Sequence, residues 1–349
     1  MKPKRTFRIK SAEDIVTAAA LGLGFLPTES MVMVAFTPGG PFYARVDLPH
    51  VVQRRKGLSD EKLPQLMLDA FRALLPAAAD NHAEQLFMVY FADLADELYI
   101  EQLDLSLRYT CRDGDLPVEC SILTDSYRYI DLDSEDRSLV EFDLRTHPEV
   151  TQAVYEGRPL LGSRAELESC LDPAPDLVRR RIGKLAARLA RELGCGRPGT
   201  PVEYFSPGEG VLRFGCEMDA MVTAVLRHER LLTDDEAAGV LTACWIPPVR
   251  DLLMSRVDRQ NAERYVEVLR DLVRRSPKRL LSEVAAMLGF CAWVSGQGAL
   301  AWVALDHCWQ LDPDNGIAKY VGDLLEAAVS PRNYDPTMLD SVRDLFYAA

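Results

Sequence analysis

MVMVAF, from Met31 to Phe36, and LFMVYF, from Leu86 to Phe91, are two apolar runs with no charge in them. A strand wetted on one side alternates apolar with polar residues. An unbroken β-branched and aromatic run is the pattern of a strand covered on both faces. Such strands belong to layered folds with helices on each side of a sheet. Outward from the first run, Ser11 and Asp14 predict an N-capped helix through about Leu23, closed by Gly24 and Pro27. On the other side, Pro38, Gly39 and Gly40 predict a turn into a second strand, Phe42 to Leu48.

The same signals extend over the rest of the N-terminal half. A short strand is predicted at Thr6 to Ile9, a helix over Ser59 to Leu75, and another over about Ala92 to Arg108. Val118 to Leu123 and Tyr127 to Leu132 read as a hairpin around Thr124, Asp125 and Ser126. The pattern changes near Pro173 and Pro175 and is helical from Asp176 onward. Val178, Ile182, Leu185, Leu189 and Leu193 form one apolar stripe, and Gly194 ends it. Arg197 to Gly215 reads as a Gly/Pro-rich connection. Thr233 with Glu236 makes a capping box, Pro247 and Pro248 open a helix, and so does Pro277. Further helices are predicted over Ala299 to Trp309, Asn315 to Val329 and Pro336 to Phe346. The expectation is an α/β N-terminal domain with a mixed sheet over residues 1–172, then an all-α helical domain over residues 173–349.

The chain of 349 residues is 48% hydrophobic and 27% charged, the profile of a globular protein. Its apolar runs fall short of the roughly 20 residues a helix needs to cross a bilayer. The basic N-terminus leads into Glu13 and Asp14 rather than a signal-peptide core. The eight cysteines form no CxxC pair and no zinc-finger spacing with the histidines, which fits reduced thiols and a cytoplasmic protein. The net charge of −13 is uneven. Asp93 to Glu149 holds sixteen acidic side chains against five arginines, whereas Asp176 to Arg197 holds seven basic against two acidic. Charge runs of this kind usually solvate a surface, and an acidic chain without clustered aromatics argues against a nucleic-acid partner.

Several segments together are more specific than any one of them. LGLGFLPTESMVMVAF at Leu21–Phe36 is followed by ARVDLP at Ala44–Pro49 and EGRPLLGSRAEL at Glu156–Leu167. Then come PPVRDLLM at Pro247–Met254, AWVSGQGALAWVALDHCWQLDPDN at Ala292–Asn315 and LLEAAVSPRNY at Leu324–Tyr334. In order and spacing they resemble an actinobacterial family, domain of unknown function 4192, over about Ile9 to Tyr334. The resemblance implies an actinobacterial or actinophage origin and brings no activity with it. Physically, Gly22 and Gly24 allow a tight turn or close packing after the helix. Ser163 suits a helix cap. Trp293 and Trp302 are expected to pack across a hairpin turned at Gly296 and Gly298.

The candidate site is a carboxylate group. Asp47 lies near the end of one predicted strand and Asp93 just follows another, where ligands of α/β sheets bind. His50 lies just beyond Asp47. Asp131 and Asp133, two apart at a strand end, face one side and are the candidate metal ligands, with Asp125 nearby. Against this stands the preference of Asp for turns and caps. No GxSxG, HExxH, GxxxxGK[ST] or strand-borne GxGxxG is present. The expectation is an uncharacterised non-enzymatic binding or regulatory protein, with a protein or small-molecule partner, no cofactor, and self-association left open. The alternative is a metal-dependent hydrolase of a phosphorylated or nucleotide-like substrate, which requires the strand-end carboxylates to converge.

Overall fold

In the computed structural model, which describes residues 9–38, 40–48, 71, 75–113, 116–196 and 205–347, Ser11 opens the first helix. Its Oγ accepts the Asp14 amide at 3.3 Å, α1 (Ala12–Leu23) follows, and Gly24 closes it in the left-handed region at φ 80°. The strand expected at Thr6–Ile9 and the helix expected at Ser59–Leu75 lie almost wholly outside the described residues, and His50 lies outside them entirely. The chain divides into two compact units, Met1–Glu166 with Ala327–Ser330, and Leu167–Glu326 with Pro331–Ala349.

The first unit is built on β1 (Ser30–Thr37), β2 (Gly40–Asp47), α2 (Leu75–Asp80) and β3 (Gln85–Phe91). It continues with α3 (Glu97–Asp113), β4 (Val118–Thr124), β5 (Arg128–Asp131), β6 (Leu139–Glu141) and α4 (Pro148–Tyr155). The strands form one six-stranded sheet in the order β2-β1-β3-β4-β5-β6. Among the six described strands only β3 and β4 pair in parallel, joined by α3, so the sheet is mixed.

The uncharged run of β1 is explained by both faces being covered. Met31, Met33 and Ala35 pack with Ile100, Leu103 and Leu107 of α3. Val32 and Val34 pack with Ile15, Val16 and Ala19 of α1. At the end of α1, a Cβ on Gly22 would stand 2.4 Å from the Tyr43 ring, so only glycine lets that ring lie against the helix. The helix expected from Ala92 begins later and runs further. Asp93 caps a 3-10 turn, Leu94–Asp96, and α3 carries on past Arg108 because Cys111 is still buried.

α5 (Arg164–Ser169) starts after Ser163, whose Oγ accepts the Glu166 amide at 3.1 Å. The second unit is helical. It comprises α6 (Asp176–Glu192), α7 (Glu209–Arg227), α8 (Asp234–Trp245), α9 (Pro247–Met254) and α10 (Ala262–Arg275). After these come α11 (Leu281–Ser295), α12 (Gly298–Trp309), α13 (Gly316–Glu326) and α14 (Asp340–Tyr347). The Thr233–Glu236 capping box forms in full. α11 is apolar on every side and buried from Val284 to Val294, the mark of a central helix. Gly289 brings it against α12, where a Cβ would stand 2.6 Å from Leu305.

Three expectations are corrected. The buried face of α6 is Ile182, Gly183, Ala186 and Ala190, with Val178, Leu185, Leu189 and Leu193 half-buried beside it. Small residues let α6 lie close to α8, and apolar spacing alone does not reveal which side approaches closest. The connection expected up to Gly215 is already helix from Glu209, because Val211 and Phe214 are buried and Gly215 seats the Phe346 ring. Trp293 and Trp302 do not pair. Trp302 meets Trp309, two turns along its own helix, at 6.1 Å, and Trp293 meets Tyr334 at 6.0 Å.

Candidate functional site

The register of the sheet fixes where the carboxylates stand. Ser30 of β1 pairs with Asp47 on one side and with Phe91 on the other, and Phe91 pairs with Thr124. Asp47, Asp93 and Asp125 therefore share one sheet edge. β1 separates Asp47 from Asp93, a gap of two strand spacings or about 10 Å. Asp131 pairs with Ile122, inside β4, and so stands away from that edge together with Asp133.

Each edge carboxylate is engaged close to home. Asp47 Oδ1 is 2.5 Å from Arg45 Nη2 in its own strand. Burial lowers the pKa of Arg45, while Asp47 works the other way. Asp93 accepts the Ala95 amide at 2.9 Å. Asp125 accepts the Tyr127 and Arg128 amides at 2.9 and 2.7 Å and the Arg128 guanidinium at 2.7 and 3.1 Å. Burial would raise the pKa of Asp125, but these donors outweigh it and hold the carboxyl below its ordinary value.

Asp131 and Asp133 belong to a different constellation. Their carboxylates and the Cys120 thiol each offer a ligand atom, all within 4.8 Å of one another. Asp131 Oδ1 accepts the Asp133 amide at 2.9 Å and lies 3.9 Å from Cys120 Sγ. Burial, with Asp131 and Asp133 adding to it, pushes the Cys120 thiol up to about 12. Asp133 Oδ2 already accepts the Ser121 amide at 2.8 Å and Arg108 Nη2 at 2.7 Å. Arg108 Nε also reaches Asp104 at 2.6 Å, and Asp104 takes the Tyr90 hydroxyl at 2.9 Å and the Ser121 hydroxyl at 2.5 Å. Burial works against the Arg108 charge, but Asp104 and Asp133 overcome it and raise its pKa. The chemistry of this donor set suits a divalent cation, with Arg108 as a competing positive charge already in contact.

The helical unit contains a cleft of about 480 Å³ lined by Asp219, Leu226 and Arg227 of α7, Arg256, Asn261 and Tyr265. Arg256 donates to both oxygens of the buried Asp219, at 3.0 Å from Nε and 2.6 Å from Nη2. Tyr347 adds its hydroxyl to Asp219, and its ring stacks under the Arg256 guanidinium at 5.3 Å. Asn261 is held in turn, donating to Arg256 O at 2.7 Å and accepting the Asp258 amide at 2.9 Å. Arg227, exposed at the rim, has no ion-pair partner among the described residues. The volume is that of a small-ligand site, with an apolar body and a few fixed polar groups.

The family model described as Domain of unknown function (DUF4192) matches residues 14–332. The chain belongs to this DUF4192 family. No curated protein and no solved structure matches it. In this DUF4192 chain no helix among the described residues is long and apolar enough to cross a membrane.

Several functional groups of the DUF4192 chain were not among the sequence candidates. Asp104 and Arg108 sit at i, i+4 on α3, a spacing visible in the sequence but shared with many solvated helix pairs. Asp219 and Arg256 are thirty-seven residues apart, and no local pattern joins them.

Proposed function

We propose that this chain is a non-enzymatic binding protein of the cytoplasm whose small ligand is held by the Asp219–Arg256 cleft of the helical unit. The observation that carries the reading is the cleft itself. It combines ligand-sized volume, a preformed bidentate ion pair and an aromatic wall. The edge carboxylates add support, because Asp47 pairs with Arg45 of its own strand, Asp125 with Arg128 at the start of β5, and Asp93 caps a turn. Eight free thiols, four of them buried, fit a reducing compartment. Arg227 suits an anionic group, and Leu226 and Tyr265 an apolar one.

The strand-end carboxylates Asp47 and Asp93 do not converge with Asp131 and Asp133, so the second reading, a metal-dependent hydrolase, rests instead on one different observation, the Cys120–Asp131–Asp133 triangle. One experiment separates the two. A panel of small anionic metabolites is titrated in a thermal-shift assay against the wild type and Arg227→Ala, and phosphate release from p-nitrophenyl phosphate and ATP is measured with Mn²⁺ or Zn²⁺. A compound that raises the melting temperature of the wild type and not of the variant supports binding at the cleft. Metal-dependent turnover abolished by Asp131→Asn would replace that reading with the hydrolase.

A further inference from the structure

A second concavity in the helical unit, distinct from the Asp219 cleft, is almost wholly cationic. It encloses about 380 Å³ between the first two turns of α6 and the segment that leads into α11. Its charged lining is Arg179, Arg180, Lys184, Lys278 and Arg279 against one carboxylate, Asp176, a surplus of four positive charges. Gly183 and Pro277 complete it. In a chain of net charge −13 this is a local reversal of sign.

Little of that charge is neutralised locally. Arg179 pairs with Asp176, and Arg180 reaches the same carboxylate only at 4.0 Å. Arg179 Nε is buried without a hydrogen-bond partner. Arg279 Nη2 is anchored on Gly183 O at 2.8 Å, which ties the two walls together. Lys184 and Lys278 have no ion-pair partner among the described residues. Elsewhere on α6, Arg181 pairs with Asp234 at 3.2 Å and Arg188 with Glu192 at 2.9 Å, while Arg191 donates to the Ala187 carbonyl at 3.2 Å. The cations of this lining are thus grouped in one depression rather than drawn out as the long stripe that tracks a nucleic-acid backbone.

We infer that this depression is a binding site for a short chain of linked phosphates, such as inorganic tripolyphosphate or the phosphate tail of a nucleotide. A single phosphate brings a charge of only about −1.5 to −2, so a surplus of four cations matches two or three joined phosphates better than one. Arginine forks and lysine ammoniums are the side chains that recognise phosphate oxygens. The start of α6, which has no side-chain cap, adds a helix dipole of the favourable sign. The lining includes no aromatic ring on which a base would stack, so the phosphate chain is the part that is recognised.

The test is calorimetric titration of the full chain at low salt with orthophosphate, pyrophosphate, tripolyphosphate, ATP and a short DNA duplex. The variants are Lys184→Ala/Lys278→Ala and, as a control on the same helix, Arg188→Ala. Both lysines are exposed, and a matching melting temperature confirms that the double variant folds. Tripolyphosphate should bind at least about tenfold more tightly than orthophosphate, lose about tenfold or more in the double variant, and be unaffected by Arg188→Ala. ATP matching tripolyphosphate shows that the chain is recognised whichever molecule carries it. No binding, binding indifferent to both lysines, ATP far tighter than tripolyphosphate, or duplex DNA bound more tightly through the same lysines would each overturn the proposal.

Discussion

Arg108 and Asp104 stand one turn apart on α3 and are joined by a 2.6 Å bond from Nε to Oδ2, which leaves the other end of the guanidinium free to hold Asp133 at 2.7 Å. Asp104 is 5% exposed and Asp133 lies near the surface. The two carboxylates therefore depend on the arginine to very different degrees. Arg108→Met should strand a buried charge and cost about 3–5 kcal/mol in urea unfolding. Asp133→Asn, at a more solvated pair, should cost about 1 kcal/mol. Equal losses at the two positions would show that burial does not govern the network.

Gly22→Ala should destabilise the first unit by about 1–3 kcal/mol, because its Cβ would stand 2.4 Å from the Tyr43 ring. The cost should shrink in a Tyr43→Ala background, where the ring is gone. A double-mutant cycle reads this coupling directly, and strict additivity of the two changes would refute the contact.

Glu236 closes the capping box of α8 and meets Arg230 through both oxygens, at 2.7 and 2.6 Å. The Arg230 guanidinium, with the Thr233 amide and hydroxyl, lowers the Glu236 carboxyl from 4.5 to about 2, against a smaller opposing effect of burial. A carboxyl with a depressed folded-state pKa stabilises the fold fully above its unfolded value. That contribution is lost as pH falls through the folded value. Glu236→Gln should therefore be less stable than wild type above about pH 5, with the gap closing between pH 4.5 and about 2. Acid titration of both proteins, followed by circular dichroism, checks it. A gap that is constant with pH would show that the charge is not the source.

The Cys120 thiol, pushed up to about 12 by burial and by Asp131 and Asp133, should be a slow nucleophile at neutral pH. Alkylation by iodoacetamide, followed residue by residue with mass spectrometry, should rise about tenfold per pH unit up to at least pH 10. Asp131→Asn should speed the reaction by removing one of the negative charges. A plateau near pH 8 would contradict the buried, anion-flanked setting.

Much of this architecture was legible in local sequence because local physics decides it. Ser11 and Gly24 bracket α1, Thr233 and Glu236 start α8, and the charge-free β1 and β3 lie in a sheet covered on both faces. The candidate site was legible only in part. Asp131 and Asp133 were visible as a pair, but Cys120 joins them only through the pairing of β4 with β5. Asp47 ends β2 and Asp93 follows β3 by two residues, positions local sequence could place, yet the sequence could not show that β1 runs between them.

Capping, turns and hydrophobic period act over a few residues, so the chain's order of strands and helices, its mixed sheet and its helical C-terminal half were determined by the sequence as it reads along. Strand order, the side on which helices approach and the partner of each charge depend on residues far apart in the chain. The approach of α6 through Gly183 and Ala186, the Asp219–Arg256 pair and the gathering of Lys184 with Lys278 were therefore decided only by the tertiary structure.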